Sequence, residues 1–375
     1  MSEKYAINIG RYTYPFCVSE NIRETIDLIN EIETDYILFV YDDKLDCKLV
    51  DYIYSRIVNS EKKGSKLAIE SYENKKNMKL LNEVLKHAFK EQVTTNSTII
   101  AIGGGVLGNL VGLVAGLIYR GIKLIHIPTT VIAATDSTIS LKQAINWDNK
   151  KNSVGIYYKP MKVIIEFDFF KTLSKFDYIC GLVEMVKNIL CITPHLKEKF
   201  NELFDNGVKF TKEELMSIIE MSIEAKQKVL KSDEKERNDG IALEYGHTVG
   251  HALEMLSGGR LNHGLGVAIG MLISAEISKE LGKINDNIVT LHWELLNRIG
   301  IIDYIKKNNL PSSTEIVGQM KLDNKRGRIN CSKEEIPMVV LESLGKCCKT
   351  GNVKLLAVNE SILIKAIEEY NKKIS

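Results

Sequence analysis

The chain has 375 residues, of which 45% are hydrophobic and 26% are charged, and its formal net charge is +2 at pH 7. This length supports a large core and two domains, and the near-neutral charge argues against nucleic acid as a partner. The first ten residues are mixed polar and charged, and the longest apolar stretch is too short for a bilayer, so we expect no signal peptide and no membrane partner. Seven cysteines without Cys-x-x-Cys spacing fit reduced thiols in a cytoplasmic protein.

Strand-like and helix-like patterns alternate through the first 170 residues. The predicted strands are Tyr36–Tyr41, Lys66–Glu70, Thr98–Ile102, Lys123–Ile127 and Val163–Glu166, and the predicted helices are Asn21–Glu31, Leu49–Ser60, Asn77–Phe89 and Leu110–Tyr119. Such alternation is typical of a parallel sheet covered by helices, with ligands at the carboxyl ends of the strands. We therefore expect a Rossmann-like α/β domain over residues 1–170.

From residue 171 onward the pattern changes to long amphipathic helices. The predicted helices are Tyr178–Leu190, Lys212–Leu230, Ile241–Leu256, Gly266–Leu281, Ile288–Ile299 and Glu360–Tyr370, with one short strand at Ile336–Leu341. We expect residues 171–375 to form a mainly α-helical domain, with the active site in the cleft between the two domains.

Three of the seven histidines lie within seventeen residues, at positions 247, 251 and 263. A helix through His247 and His251 presents both rings on one face, and the glycine-rich segment 257–263 could return His263 to that face. Imidazoles in such an arrangement suit metal binding or proton transfer. Spacing alone leaves open that these are surface histidines without a shared function.

A second motif lies about 140 residues upstream, where a β-branched run opens into glycines at 103, 105 and 108. The spacing fits Gly-x-Gly-x-x-Gly, which lets backbone N–H groups and a helix N-terminus approach a pyrophosphate. The acidic residue usual about 20 residues later is missing, but Asp42 ends an earlier predicted strand. The residues alone indicate either a nucleotide site of unusual layout or no such site.

Together these motifs resemble the sugar-phosphate cyclases, the family of 3-dehydroquinate synthase, over nearly the whole chain. The matching blocks are Gly103-Gly-Gly-Val-Leu-Gly-Asn109, Arg120-Gly121, Ile127-Pro-Thr-Thr130, Thr135-Asp-Ser137, Lys151-Asn152, Glu184-Met-Val-Lys187, Gly246-His-Thr-Val-Gly-His251 and Asn262-His-Gly264. The resemblance implies NAD and one divalent metal, zinc or cobalt, as cofactors, and a homodimer that acts on a small sugar phosphate.

Several positions depart from 3-dehydroquinate synthase itself. That enzyme carries Gly-Gly-Lys where this chain has Ser140-Leu141-Lys142, Asp at Asn109, Asn at Glu244 and a phosphate-binding arginine near Gly240. Each departure instead resembles the 2-deoxy-scyllo-inosose synthases, which form a carbocycle and free phosphate from D-glucose 6-phosphate. We expect that activity. The alternatives are a cyclase of the family that acts on a seven-carbon sugar phosphate, a metal-dependent polyol dehydrogenase and, least supported, a non-catalytic binding protein.

The resemblance assigns roles to individual residues. The helical spacing by itself would place both His247 and His251 on the metal, whereas the family pattern places Glu184, His247 and His263 there and makes His251 a substrate contact. The substrate residues implied are Asp136, Lys187, Lys226, His251, Asn262, Lys325 and Arg120, the last reaching across a dimer. The NAD residues implied are Asp42, Glu73, Lys76, Gly105, Val106, Leu107, Gly108, Asn109, Thr129, Thr130, Ser140, Leu141, Lys142, Lys151 and Asn152.

Lys142 and Glu244 are the expected catalytic pair. The implied reaction oxidises a secondary alcohol transiently, which acidifies the neighbouring C–H, and a base removes that proton as phosphate departs. A carboxylate at position 244, three residues before His247, fits such a base, and on a helix both side chains would face one substrate. Lys142 would steady the phosphate or the developing enolate. The departing phosphate itself is the alternative base.

Overall fold

The computed structural model describes residues 3–59, 62–148 and 150–374. The chain divides into two compact units, Met1–Tyr178 and Ile179–Ser375; the expected boundary was at 170/171. The strands are β1 Glu3–Ile9, β2 Tyr12–Val18, β3 Tyr36–Asp42, β4 Lys63–Ile69, β5 Thr98–Gly103, β6 Lys123–Pro128, β7 Lys142–Trp147, β8 Lys150–Tyr157, β9 Lys162–Ile165, β10 Glu335–Met338, β11 Leu341–Ser343, β12 Lys346–Cys347 and β13 Leu356–Asn359.

Thirteen α-helices accompany these strands in the described residues. They are α1 Ile22–Asn30, α2 Cys47–Ile57, α3 Met78–Lys90, α4 Gly105–Leu117, α5 Lys175–Cys191, α6 Lys197–Leu203, α7 Lys212–Leu230, α8 His247–Leu256, α9 His263–Glu280, α10 Asp286–Arg298, α11 Ile302–Ile305, α12 Ser313–Met320 and α13 Glu360–Ile374. Ser60, the predicted end of α2, lies outside the described residues.

A seven-stranded sheet forms the centre of the N-terminal unit, in the order β1-β2-β9-β6-β5-β3-β4. All neighbouring strands are parallel except β1 and β2. Successive side chains of β3 point to opposite faces: Ile37 and Phe39 pack with α1 and α2, whereas Leu38 and Val40 pack with α3 and α4. Both faces are therefore covered by helices, and the predicted α/β fold class of this unit is confirmed.

Two antiparallel hairpins in this unit did not follow from the sequence pattern. One joins β1 to β2 through a turn at Gly10 and Arg11, and the other joins β7 to β8. Neither connection carries the Asn-Gly or Asp-Gly pair that marks a tight hairpin. The β7–β8 hairpin matters for function because it carries the candidate residues Lys142, Lys151 and Asn152.

The C-terminal unit is helical, as predicted, and α9 is its central element, with every residue from Gly264 to Ser278 buried. The sheets in this unit have two strands each, β10 with β13 and β11 with β12, so the single strand predicted at Ile336–Leu341 is divided. Within the described part of the chain no helix is long and apolar enough to cross a bilayer.

Candidate functional site

Three helices of the C-terminal unit bring Glu184, His247 and His263 together. Glu184 lies on α5, His247 begins α8 and His263 begins α9. Both Nε2 atoms face one carboxylate oxygen, Oε1 of Glu184, from 3.6 Å for His247 and 3.7 Å for His263. That oxygen is buried and has no hydrogen-bond partner among the described residues. A buried carboxylate oxygen without a donor is costly, and a cation would satisfy it.

Both imidazoles turn Nδ1 toward a protein oxygen and Nε2 toward Glu184. Nδ1 of His247 lies 3.1 Å from the backbone oxygen of Tyr245, and Nδ1 of His263 lies 2.8 Å from Oε1 of Glu254. Since each acceptor requires a proton on Nδ1, Nε2 carries the lone pair in the neutral form of each ring. Burial, reinforced by Lys187, holds the pKa of His247 well below its usual value, which keeps this ring neutral. A carboxylate behind a histidine ligand is typical of zinc sites.

A second grouping of His251, Glu254 and His263 also lies within metal-binding distance. In that grouping Oε1 of Glu254 already accepts the hydrogen bond from His263, so it acts as an orienting carboxylate. The set of Glu184, His247 and His263 has the unsatisfied oxygen instead. Two imidazoles and one carboxylate suit zinc or cobalt with open coordination positions.

Close backbone packing explains why glycine stands beside these residues. Gly246 precedes His247 with φ of +78°, and a Cβ there would lie 2.7 Å from Met271 of α9. A Cβ at Gly264, the residue after His263, would lie 2.2 Å from the backbone oxygen of Cys180 on α5. Because these two positions carry no side chain, α5, α8 and α9 approach closely enough to bring the three candidate ligands together.

Lys187 lies one helical turn after Glu184 on α5, and both side chains are 1% exposed. Its Nζ is hydrogen-bonded to Oε2 of Glu184, the oxygen that does not face the histidines. The predicted substrate residue Lys187 is thus adjacent to the candidate metal centre. It also neutralises the charge of the buried carboxylate.

Glu244 and His247 do not lie on one helix, so the expectation that helical spacing would turn both toward one face was wrong. Glu244 ends a 3-10 turn at Gly240–Glu244, Tyr245 is extended, and α8 begins only at His247 after the left-handed Gly246. Gly246 breaks the helix because its positive φ is unfavourable for other residues but open to glycine.

Glu244 faces Lys325 instead of sharing a helix face with His247. Lys325 is fully buried, and its Nζ lies 3.2 Å from Oε2 of Glu244 and 3.0 Å from Oδ1 of Asp323. Burial disfavours the ammonium form, but the two carboxylates outweigh it and raise the pKa of Lys325. Burial also opposes the charge of Asp323, and Lys325 outweighs that effect, holding the pKa of Asp323 well below its usual value. Asp323 and Lys325 therefore remain charged together.

The remaining predicted substrate residues of this unit surround the histidines or lie in its interior. His251 follows His247 by one turn of α8, with ring centroids 5.3 Å apart, and lies 6.1 Å from the ring of His263. Asn262 caps α9, where its side chain accepts from the N–H of Gly264 at 2.9 Å. Lys226 is buried on α7. The glycine-rich segment does return His263 to the face of His247 and His251.

In the N-terminal unit the glycine motif forms the turn between β5 and α4. The helix begins at Gly105, earlier than the predicted Leu110, and its cap residue Gly104 provides no side-chain hydrogen bond. A Cβ at Gly104 would meet Thr130 at 3.3 Å and one at Gly105 would meet Ser137 at 3.3 Å. The turn thus leaves first-turn N–H groups of α4 without a side-chain cap, as a pyrophosphate site requires.

The other residues predicted at this turn differ in burial and in which of their atoms can reach a ligand. Thr129 is buried and donates its N–H to Gly103 at 3.1 Å. Leu107 packs in the core, so only its backbone can reach a ligand. A small recess beside the turn has Gly108 and Asn109 in its lining. Val106 is half-buried on the same turn of α4.

A hydrogen-bonded network joins four residues at the β7–β8 hairpin. Nζ of the buried Lys76 donates to Oδ1 of Asn152 at 2.6 Å. Asn146 donates to Oε1 of Glu73 at 2.8 Å and accepts from the N–H of Asn152 at 2.8 Å. The structure therefore brings together the predicted cofactor residues Glu73, Lys76 and Asn152. It adds Asn146, to which the sequence analysis assigned no role.

Asp42 lies at the carboxyl end of β3, next to β5, where its side chain accepts hydrogen bonds from Ser71 and from the N–H of Lys44. The other predicted residues of this unit are placed as follows: Asp136 on a π-helical turn at Ala133–Ser137, Ser140 and Leu141 buried before β7, Lys142 at the start of β7, Lys151 half-buried on β8, and Arg120 exposed with φ of +66°.

Sequence reasoning missed two carboxylates of the C-terminal unit, Glu254 and Asp323. Glu254 lies on α8, seven residues after His247 and outside the matching motif blocks. Asp323 lies two residues before Lys325. The helical position of Glu254, three residues after His251, was a signal that it shares the histidine face. No comparable signal marked Asp323, because its partner His251 is distant in the sequence.

Comparison with known proteins supports a single family. Family models described as 3-dehydroquinate synthase N-terminal and C-terminal match residues 66–180 and 181–326. The 2-deoxy-scyllo-inosose synthase of Streptomyces ribosidificus is 38% identical over 303 residues, which are 81% of this chain and 77% of that protein. The protein of the same name from Niallia circulans is 30% identical over 95% of this chain and 96% of its own length.

A solved structure gives the same result at the level of the fold. It is described as 2-deoxy-scyllo-inosose synthase complexed with carbaglucose-6-phosphate, NAD⁺ and Co²⁺, and is 28% identical with a TM-score of 0.87. The match covers 98% of this chain and 99% of that one. The resemblance inferred from the sequence is confirmed: this chain belongs to the 3-dehydroquinate synthase family of sugar-phosphate cyclases.

Proposed function

We propose that this chain converts D-glucose 6-phosphate to 2-deoxy-scyllo-inosose and phosphate, using NAD and one divalent metal ion, zinc or cobalt. The observation that carries the proposal is the unsatisfied oxygen of Glu184 facing the Nε2 atoms of His247 and His263. The relatives named 2-deoxy-scyllo-inosose synthase support the choice of substrate, as does the structure of such an enzyme with a glucose 6-phosphate analogue, NAD⁺ and Co²⁺.

On our assignment the metal-binding residues belong to the C-terminal unit and the NAD-binding residues to the N-terminal unit. A divalent ion on Glu184, His247 and His263 would polarise a sugar hydroxyl through its open coordination positions. NAD would accept a hydride from the carbon of that hydroxyl and later return it. On our assignment the turn at Gly105–Asn109 holds the pyrophosphate, Asp42 and the Glu73–Lys76 network hold the adenosine end, and Thr129, Thr130, Ser140, Leu141, Lys142, Lys151 and Asn152 complete the cofactor site.

We assign the proton transfer to Glu244. Its carboxylate lies 3.2 Å from the ammonium of Lys325, which fixes its position. It would take the proton from the carbon beside the transient ketone as the C–O bond to phosphate breaks. Lys142 would steady the phosphate or the enolate oxygen, and Lys187, Lys226 and Lys325 supply point charges that suit a phosphate dianion. Asp136, His251 and Asn262 would orient the sugar hydroxyls.

A homodimer in the cytoplasm completes the proposal. Arg120, proposed to reach the neighbouring subunit, is exposed on a segment where Leu117 and Tyr119 are 47% and 49% exposed. Apolar side chains this exposed are common at subunit interfaces. All seven cysteines are free thiols, in keeping with a reducing compartment.

Phosphate release from two separate substrates tests the function. The purified protein is incubated with D-glucose 6-phosphate or with the seven-carbon sugar phosphate used by 3-dehydroquinate synthase, and free phosphate and NADH are followed together. We expect phosphate from glucose 6-phosphate only, with NADH remaining below the enzyme concentration because oxidation and reduction cancel. Phosphate from the seven-carbon sugar alone would favour the related cyclase. NADH that accumulates in step with product would favour a polyol dehydrogenase.

A further inference from the structure

Asp323 lies in the turn after α12, and its side chain is 4% exposed. Oδ1 accepts the backbone N–H of Lys325 at 2.9 Å and the ammonium of the same residue at 3.0 Å. The other oxygen, Oδ2, faces Nδ1 of His251 at 3.5 Å and has no hydrogen-bond partner among the described residues. The carboxylate is thus directed at two residues that we assign to the substrate.

The direction of Oδ2 determines which nitrogen of His251 carries the proton. A buried carboxylate oxygen requires a donor, and Nδ1 of His251 is the polar atom that faces it. A proton on Nδ1 leaves Nε2 with a lone pair in the neutral ring. His251 would therefore accept a hydrogen bond at Nε2.

We propose that Asp323 is a positioning residue, which holds His251 as the Nδ1–H tautomer and fixes Lys325 beside Glu244. In this role it prepares Nε2 of His251 to accept a hydrogen bond from a sugar hydroxyl. The identity of that hydroxyl-bearing ligand rests on the proposed function, whereas the tautomer of His251 follows from the C-terminal unit alone.

An asparagine at position 323 separates these two contacts without changing the size of the side chain. Its single carbonyl oxygen must stay with the N–H groups of Lys325, because an amide NH₂ cannot accept from an ammonium. The NH₂ group then faces Nδ1 of His251, which becomes an acceptor, and the ring proton moves to Nε2. In a Ser-His-Asp triad the same replacement traps the wrong tautomer and lowers kcat by about 10⁴-fold.

The test uses ¹⁵N-histidine-labelled holoenzyme of the wild type and of Asp323→Asn. Imidazole ¹⁵N shifts report the tautomer directly, and His251 is assigned by the signals lost in His251→Asn. We expect Nδ1–H in the wild type and Nε2–H in Asp323→Asn. An Nε2–H tautomer in the wild type would overturn the proposal. This measurement on the wild type does not depend on how well the Asp323→Asn variant folds.

Kinetics provide the second measurement, with Asp286→Asn as the matched control. Asp286 makes the same kind of ion pair, 2.5 Å from Lys279, but its side chain is 72% exposed. In Asp323→Asn we expect kcat for phosphate release to fall about 10²- to 10⁴-fold, with metal and NAD content unchanged. Asp286→Asn should match the wild type.

The outcomes separate this proposal from the proposed function. If the wild type releases phosphate from glucose 6-phosphate and Asp323→Asn behaves like Asp286→Asn, the role of Asp323 is wrong and the function stands. If the wild type releases none, the function is wrong, and the tautomer of His251 still decides whether Asp323 positions it.

Discussion

His263 and Glu254 are joined by a hydrogen bond of 2.8 Å between Nδ1 and Oε1, on the side of the ring opposite Glu184. The contact fixes both the proton and the orientation of the imidazole, because a neutral ring that donates at Nδ1 can bind a metal only through Nε2. The carboxylate also makes the ring a more basic ligand. We therefore expect Glu254 to contribute to metal affinity without binding the metal itself.

Glu254→Gln tests this contribution. The amide preserves the size of the side chain and can still accept the hydrogen bond, but it removes the negative charge that increases the basicity of His263. Loss of such supporting partners lowers metal affinity by about 10- to 100-fold, and we expect the lower end. The measurement is Kd for Zn²⁺ or Co²⁺ by competition with a chromophoric chelator.

Glu276→Gln is the matched control for that measurement. Glu276 is also buried, at 3% exposure against 4% for Glu254, but it pairs with Lys373 at 2.6 Å, away from the histidines. Its metal affinity should equal that of the wild type. Equal affinity in the Glu254 variant as well would show that the carboxylate does not tune the metal.

His263→Ala removes one of the three candidate ligands. We expect the purified variant to retain less than stoichiometric metal and to lose phosphate release, since two protein ligands are fewer than catalytic zinc sites use. Metal content is measured by elemental analysis after dialysis. The control is His195→Ala, because His195 is 58% exposed and pairs only with Glu224 in the described structure. Stoichiometric metal with full activity in His263→Ala would rule out the assignment.

The sequence indicated that the three histidines could meet. A four-residue spacing on a helix places His247 and His251 on one face, and a glycine-rich return made His263 a possible third member, but spacing alone left open that the three share no function. The same reasoning could not distinguish His251 from a metal ligand. That distinction needed Glu184, which lies 63 residues before His247 on another helix, and only the family resemblance pointed to it.

The wrong helix at Glu244 and the missed carboxylate of Asp323 have a common physical cause. Periodicity extended the helix through Glu244 because it does not record the backbone angle at Gly246, where φ of +78° ends the 3-10 turn and starts α8 anew. Asp323 went unnoticed because its contacts with His251 are made by tertiary packing between α8 and the turn after α12. Local patterns predict elements, whereas these positions depend on contacts between elements.

Substitution of Gly246 tests the close packing of α8 against α9. An alanine there must adopt a left-handed backbone, which costs about 1–2 kcal/mol, and its Cβ would press on Met271 and on the backbone oxygen of Val267, at 2.7 and 3.0 Å. Overpacking adds about 1–3 kcal/mol. We therefore expect Gly246→Ala to lower the free energy of unfolding by about 2–5 kcal/mol in denaturant titrations.

Gly207→Ala isolates the backbone contribution. Gly207 has nearly the same φ, +75°, but nothing lies within 4 Å of the Cβ position. This variant should lose only the 1–2 kcal/mol or so of the left-handed backbone. If the two variants unfold at the same denaturant concentration, the close approach of α8 and α9 at Gly246 is not a packing constraint.

The final prediction concerns Glu244→Gln. Glutamine keeps the size and the hydrogen-bonding capacity of the side chain but cannot act as a base. Lys325 retains Asp323 as a partner at 3.0 Å, so the binding of NAD and of sugar phosphate should survive. Phosphate release from glucose 6-phosphate should fall by about 10²- to 10⁴-fold, the usual contribution of a positioned general base. Single-turnover phosphate release and equilibrium binding, measured side by side, separate the two effects.

Glu220→Gln is the control for this variant, because Glu220 is 44% exposed and its ion pair with Lys199 is long, at 3.4 Å. It should release phosphate at the wild-type rate. Near-wild-type release in Glu244→Gln too would mean that Glu244 only positions the sugar. The proton would then have to leave to another group close to the breaking C–O bond. The departing phosphate dianion is the natural one, since it is basic and is present at that carbon in every turnover.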